Sequence, residues 1–422
     1  MSDARDGAGR FPRVFHVAIL LEVLERLAFY GAYVNLAVYL SDTVGLSDVE
    51  NGVLLGWFAA ARAWLPVATG ALSDRIGFRR SLLASFALYI VAYGALVAFP
   101  FRVGAWCSVL GMAFAGAFLK PVIPAAVRRY SPKGRESLGF SAFYASVNAG
   151  SVIGKTGAKI VRTAVSLRMS LFNSVLASVL ALVLTALLFF EPGDREGDTE
   201  VAGAAGDKAE KPGFLESLGA AAKNPRFVIF LLLVSGYYLL IEQFYQTFPV
   251  YIRRQLGEGA PREYITLINP AAIALLQIPM GWLTKRTPPI LAMTVGILVG
   301  SASMLLMGSL PTLAGACGSF FVFAIAEMIY SPRYYEYVSS FAPKGREGLY
   351  MGLALMPFGL GGLVGGVLSG RLIARYLPKD GVLQPLHVWG TYAAIGVVCA
   401  VCLGAFGVVT AVASRRASSS VR

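Results

Sequence analysis

The feature that most restricts this chain is a succession of long apolar blocks. About twelve can be marked, near 14–40, 50–72, 81–100, 103–127, 139–162, 167–190, 226–252, 263–283, 289–309, 313–338, 348–374 and 386–413. A helix needs roughly 20 mostly apolar residues to cross a bilayer. Strands of a membrane barrel run about ten residues with alternating polarity, so these blocks are too long for one. Only 14% of the residues are charged, against about 25% in a soluble domain. The blocks therefore predict an all-α membrane protein with twelve transmembrane helices. The first block follows a short polar stretch but carries Glu22, Glu25 and Arg26 and exceeds the core of a signal peptide, so it reads as a retained span.

The net charge of +13 raises the question of nucleic acid, and its placement answers it. With a cytoplasmic amino terminus, inside segments hold roughly twice the Lys and Arg of outside segments, as the positive-inside rule requires. The clusters are Arg75, Arg79 and Arg80; Arg128, Arg129, Lys133 and Arg135; Lys285 and Arg286; Lys344 and Arg346; and Arg415 with Arg416. This is topology signal, expected of an inner (plasma) membrane protein with both termini in the cytoplasm, and no nucleic-acid partner is expected. Cys107, Cys317, Cys399 and Cys402 all lie in apolar blocks, and His16 and His387 are the only histidines. Small-residue packing is therefore the expected role of the cysteines, without metal or redox work.

A polar stretch rich in Gly, Ala, Asp, Glu and Lys occupies 191–224 and reads as a flexible cytoplasmic linker; Phe214 to Ala222 within it suits an amphipathic helix. It separates a six-helix bundle at 1–190 from a second at 225–422. The halves repeat each other. Tyr130-Ser131-Pro132-Lys133-Gly134-Arg135-Glu136 recurs as Phe341-Ala342-Pro343-Lys344-Gly345-Arg346-Glu347, an offset of 211 that also relates Pro121 to Pro332, Gly70 to Gly281 and Gly150 to Gly361. A parallel repeat of six spans implies the major facilitator fold, whose solute cavity lies between the halves. After span 2, Gly70-Ala71-Leu72-Ser73-Asp74-Arg75-Ile76-Gly77-Phe78-Arg79-Arg80 resembles that superfamily's G-x-x-x-D-R-x-G-R-R loop. Gly70 permits close helix approach, Asp74 can cap or pair, and Arg75, Arg79 and Arg80 pin the loop to the cytoplasmic face.

Ionisable groups inside a bilayer cost at least about 2.5–3.5 kcal/mol each, so each needs a partner, water or a purpose. Glu22, Glu25, Arg26 and Tyr30 share one face of a helix, spaced three and four apart. One cation beside two carboxylates leaves a surplus negative charge, met by protonation of one carboxyl or by a second cation. A proton-binding site and a static ion cluster both fit. Lys120 lies eight residues before Arg128, about 12 Å deep; it is either that second cation or a snorkelling lysine. Glu242 and Glu327 are the acidic counterparts in the other half. For Asn148, packing across helices and solute contact fit equally, while Gly150 and Gly154 read as a packing face. Arg62, Lys155 and Arg333 are further intramembrane cations without an assigned role. Cations in one half and acids in the other suit a zwitterion, such as a short peptide.

At these residues the chain resembles the proton-dependent oligopeptide transporter family. Glu22-x-x-Glu25-Arg26-x-x-Phe29-Tyr30 is similar to its E-x-x-E-R-x-x-[FY]-Y motif. Phe143-Tyr144 through Asn148-x-Gly150-Ser151 is similar to its second signature, and Leu119-Lys120-Pro121, Glu242-Gln243, Asn269-Pro270 and Glu327 through Ser331-Pro332 resemble its sites in helices 4, 7, 8 and 10. The resemblance implies proton coupling at Glu22 and Glu25. It implies peptide binding by Arg26, Tyr30, Lys120, Asn148 and Glu327, and a gate at Glu242. Two departures stand out. Tyr33 occupies the place of the arginine that partners the helix 7 acid, and a helix 2 tyrosine is replaced near Ala63, beside Arg62.

The expected function is therefore proton-coupled uptake of di- and tripeptides by alternating access, by a monomer with no cofactor beyond the coupling proton. Its partners are a small peptide or similar zwitterion and the lipid bilayer. A second expectation keeps the fold and changes the cargo to another amphipathic or drug-like solute, with export as a possible direction. A third, remote from the motifs, is a membrane-embedded enzyme or receptor.

Overall fold

The computed structural model describes residues 10–132, 135–190, 223–341 and 347–419. The linker up to residue 222, its Phe214 to Ala222 segment, Lys133, Lys344 and Arg346 lie outside them, as do the side chains of Asp74, Arg415 and Arg416. Among the described residues the chain forms fifteen helical segments and no strand. They are α1 (Arg13–Asp42), α2 (Asp48–Ile76), α3 (Phe78–Ala98), α4 (Arg102–Tyr130), α5 (Glu136–Ala164), α6 (Leu167–Leu188), α7 (Pro225–Gln246), α8 (Phe248–Leu256), α9 (Arg262–Ile265), α10 (Ile268–Thr284), α11 (Pro289–Ser309), α12 (Leu313–Ser340), α13 (Glu347–Leu353), α14 (Met356–Tyr376) and α15 (Pro385–Ser419).

Ten spans are long and apolar enough to cross a membrane, with α9 and α10 forming one of them and the α13–α14 stretch another. The remaining two of the twelve, α1 and α5, have crossing lengths of 30 and 29 residues. They are the polar ones. α1 carries Glu22, Glu25 and Arg26, and α5 carries Lys155, Lys159 and Arg162. A helix that gives up hydropathy in this way must bury its charges against other helices.

The chain divides into two compact units, one of Met1–Leu46 and Trp64–Lys211, the other of Ser47–Ala63 and Pro212–Arg422. In the first, α1 packs on α5 and α6, and α3 packs on α4 and α6. In the second, α7 packs on α14 and α15, and α11 packs on α12 and α15. The two pairing schemes match helix for helix, so the sequence repeat is also a repeat of packing. The opening stretch of α2 lies within the second unit, where Gly52 and Gly56 meet the backbone of Gly366, Gly370 and Leu363.

Glycine sets the tightest of these contacts. A Cβ on Gly150 would lie 2.5 Å from the Val23 carbonyl and 2.6 Å from the Arg26 Cβ. One on Gly154 would meet the Leu27 backbone, 2.9 Å from its Cα. The repeat partner Gly361 does the same in the other unit, against the backbone of Ser235 and Leu239. These residues sit at nearly the same offset from Val23 and Leu27 as Gly361 does from Gly150. Both units thus use one glycine to bring the fifth helix backbone onto the first.

One proline inside a helix is accommodated by a side chain. Pro121 within α4 cannot donate to the carbonyl of Ala117, four residues back. The Thr69 hydroxyl of α2 donates to that oxygen instead, at 2.6 Å. Gly70 follows immediately, and a Cβ there would reach Pro121 at 3.5 Å. The loop after α2 turns at Gly77, whose φ of 89° is left-handed and favours glycine.

The glycine contacts make a prediction. Gly154→Val should destabilise the purified protein by about 1–3 kcal/mol, because the obstructing atoms are backbone. Gly94→Ala, with nothing within 4 Å of the added methyl, should stabilise it by about 0.5–1 kcal/mol. Thermal unfolding in detergent distinguishes the two.

Candidate functional site

α1 is held on the α5 glycines and against α3, α4 and α6, so its charged face lies inside the first unit. Glu22 and Glu25 are both 2% exposed. Arg26 Nε lies 3.0 Å from Glu22 Oε1 and 2.5 Å from Glu25 Oε2, so one guanidinium serves both carboxylates. The Tyr89 hydroxyl on α3 donates to the other oxygen of Glu25 at 3.0 Å. Gly116 on α4 makes that bond possible, since a Cβ there would collide with the Tyr89 hydroxyl. Lys120, one turn further along α4, is near enough for its charge to act on Glu22. The surplus negative charge read from the sequence thus meets a second cation and a phenol.

Tyr30 lies half-buried one turn beyond Arg26. The Lys155 ammonium of α5, itself 1% exposed, stands 5.2 Å from the Tyr30 ring centroid. Asn148, on the same helix, donates its amide to the Tyr144 carbonyl of its own helix at 3.0 Å. One of its two amide N–H groups is therefore used within α5, and the second N–H and the amide oxygen remain for other contacts.

The acids of the second unit each have a partner there. Arg62 Nη2 lies 2.9 Å from Glu242 Oε1, with Glu242 1% exposed. The guanidinium also stands over the Phe358 ring, 4.9 Å from its centroid. The departure at Tyr33 is thus compensated: the cation comes from α2 instead of α1, and Tyr33 packs in the core against Phe29. Glu327 Oε2 accepts from the Asn269 amide at 3.1 Å. Arg333, inside α12, lies beside the end of another helix. It donates to the Thr284 carbonyl, the last of α10, and pairs with Glu336.

In the loop motif, Arg79 donates to the Ala186 carbonyl in the last turn of α6 at 2.9 Å and lies over the Phe190 ring. A cation at a helix carboxyl end is favourable. Arg75 and Arg80 are exposed. The cysteines are free, and Cys399 packs on Gly236. Among the described residues no group of His, Cys, Asp and Glu is placed to hold a metal ion.

Tyr89 and Gly116 were not found from sequence. Tyr89 and Tyr93, four apart in an otherwise apolar span, were the available signal, since phenols buried in a bilayer need acceptors.

Two helical units built to one packing plan, with ionisable side chains buried among their helices, define a solute carrier of the membrane. The profile of the Major Facilitator Superfamily matches residues 18–366, and the chain belongs to that superfamily, which makes it a transporter rather than an enzyme. It is 23% identical over 382 residues to the multidrug resistance protein MdtH of Klebsiella pneumoniae, covering 89% of this chain and 90% of that one. To MdtH of Salmonella typhimurium it is 23% identical over 385 residues, covering 90% and 91%. Its fold resembles a POT family transporter solved with a thioalcohol-conjugated peptide, with TM-score 0.77, 18% identity, and 94% and 96% of the chains covered. It also resembles the POT family transporter PepTSo, with TM-score 0.76, 15% identity, and 94% and 98% covered. The nucleoside transporter NupG gives TM-score 0.76, 17% identity, and 93% and 98% covered.

The Arg62–Glu242 pair gives a double-mutant test. Arg62→Met or Glu242→Leu alone should each destabilise the protein by about 3–5 kcal/mol by leaving a buried charge uncompensated. The double variant should recover most of that loss in thermal unfolding.

Proposed function

We propose that the chain is a proton-coupled importer of short peptides. The observation that carries this reading is the α1 cluster, in which Arg26 bridges Glu22 and Glu25 while Tyr89 holds the far oxygen of Glu25. A proton taken by Glu22 or Glu25 removes one of the two anions that hold Arg26, and the guanidinium becomes available to a peptide carboxylate. Arg26, Lys120, Tyr30 and Asn148 then form the carboxylate-binding side. Glu327, oriented by Asn269, receives the peptide amino group. Glu242 with Arg62 is the gate pair, and its opening is one step of alternating access. The loop motif at Gly70, Asp74, Arg75, Gly77, Arg79 and Arg80 governs the conformational change. Protons are the coupling ion and no other cofactor is needed. The carrier works as a monomer in the plasma membrane, with both termini in the cytoplasm. The fold neighbour solved with a thioalcohol-conjugated peptide supports this cargo.

A second reading has its own support. The curated relatives that cover about nine-tenths of the chain are multidrug resistance proteins, which favours an amphipathic drug-like cargo, exported in exchange for protons. The α1 cluster serves either direction.

Two preparations separate these readings: empty proteoliposomes for gradient-driven uptake, and proteoliposomes loaded with unlabelled dipeptide, without a gradient, for counterflow. An inward proton gradient should drive accumulation of labelled dialanine by the wild type. Glu25→Gln should reduce that accumulation to the level of protein-free vesicles while leaving counterflow intact. Gradient-driven uptake that survives in Glu25→Gln rejects the coupling role of Glu25. A thermal-shift panel that ignores every peptide and responds to cationic drugs supports the multidrug reading.

A further inference from the structure

The second unit carries an apolar groove apart from every residue assigned to transport. It has a volume of about 530 Å³ and runs between the start of α11, the end of α12 and the last turns of α15. Pro288 just before α11, Ile290 and Thr294 of α11, Gly404 and Val408 of α15, and Tyr337 of α12 line it. The volume falls in the range of about 300–1,000 Å³ typical of ligand sites. Gly404 and Ala411 leave little side chain on the α15 wall of the groove, while Gly407 lets the Ile290 side chain of α11 pack directly onto α15. Leu291 and Val408 are exposed.

A stripe of small residues on a membrane helix commonly seats another helix, so a second copy of this chain is the natural rival occupant. The rim argues against it. Arg226, in the first turn of α7, is close enough to Tyr337 for its charge to act on the hydroxyl. Lys285 and Arg286 lie three and two residues before Pro288, and all three cations are exposed. Two copies joined about a two-fold axis through this groove would bring six like charges together. An apolar slot capped at one end by cations and a phenol instead complements a molecule with a long apolar tail and an anionic head.

The geometry points to a binding site for an anionic phospholipid in this groove, with an acyl chain between α11 and α15 and the phosphate at Arg226, Lys285 and Arg286. Juxtamembrane cations contribute about 1 kcal/mol each toward anionic lipid, about fivefold in affinity per residue.

The test is native mass spectrometry of the full-length protein, delipidated in detergent and titrated with dioleoyl phosphatidylglycerol, dioleoyl phosphatidylcholine or inorganic phosphate. Phosphatidylglycerol should bind at least tenfold more tightly than phosphatidylcholine, and phosphate alone should leave no adduct. Arg226→Gln, Lys285→Gln and Arg286→Gln combined should remove the preference between headgroups, and Gly404→Phe, which fills the slot, should weaken both lipids. Equal binding of the two lipids by the wild type overturns the proposal, as does a preference that survives the triple Gln substitution. A dimer in the wild type that Gly404→Phe dissociates assigns the groove to a second copy and likewise overturns it. The Gln variants change no groove wall, so the headgroup test stands even where Gly404→Phe folds poorly.

Discussion

A carboxylate buried in a membrane bundle is tolerable only where another group shares its charge, and α1 of this protein contains two. The bridge from Arg26 to Glu22 and Glu25 is what allows the helix to exist in place. It also dictates the neighbourhood. The backbone of α5 must come close at Gly150 and Gly154, α3 must present Tyr89, and α4 must carry glycine at 116 to admit the phenol. The interior of this unit therefore depends on charge balance within α1 as well as on apolar contact.

The second unit meets the same requirement differently. Its first helix, α7, holds one acid, and the balancing cation arrives from α2, whose opening stretch belongs to that unit. Gly361 reproduces the backbone approach of Gly150, yet the groups around it are Ser235 and Leu239 rather than a charged cluster. Packing was kept across the duplication while chemistry diverged, leaving the two-carboxylate arrangement in the amino-terminal unit.

Much of the fold was legible because its signals are local or periodic. Blocks of apolar residues mark spans irrespective of their partners, and a constant offset between Gly150 and Gly361 survives without any knowledge of contacts. The grouping of Glu22, Glu25 and Arg26 was readable from helical spacing alone. What escaped the sequence is what depends on rotamers and on helices distant in the chain. Arg62 lies 180 residues from Glu242, and only the fold shows that it takes over as partner where Tyr33 stands. Asn148 carries the right group at the right place, yet its amide turns to its own helix. Arg333 looked like a charge in mid-membrane, but the end of α10 lies beside it. Tyr89 gave no motif, because a phenol becomes a ligand of Glu25 only after Gly116 has cleared its path.

The bond from Thr69 to the proline-freed carbonyl of Ala117 has a mechanical meaning. Prolines in membrane helices often serve as points of flexure, since a missing backbone bond lets the two ends bend independently. Here the vacancy is filled from a different helix, so the place where α4 would yield is stapled to α2. A bend of α4 at Pro121 therefore has to break the bond from Thr69 or draw that stretch of α2, one residue before Gly70, along with it.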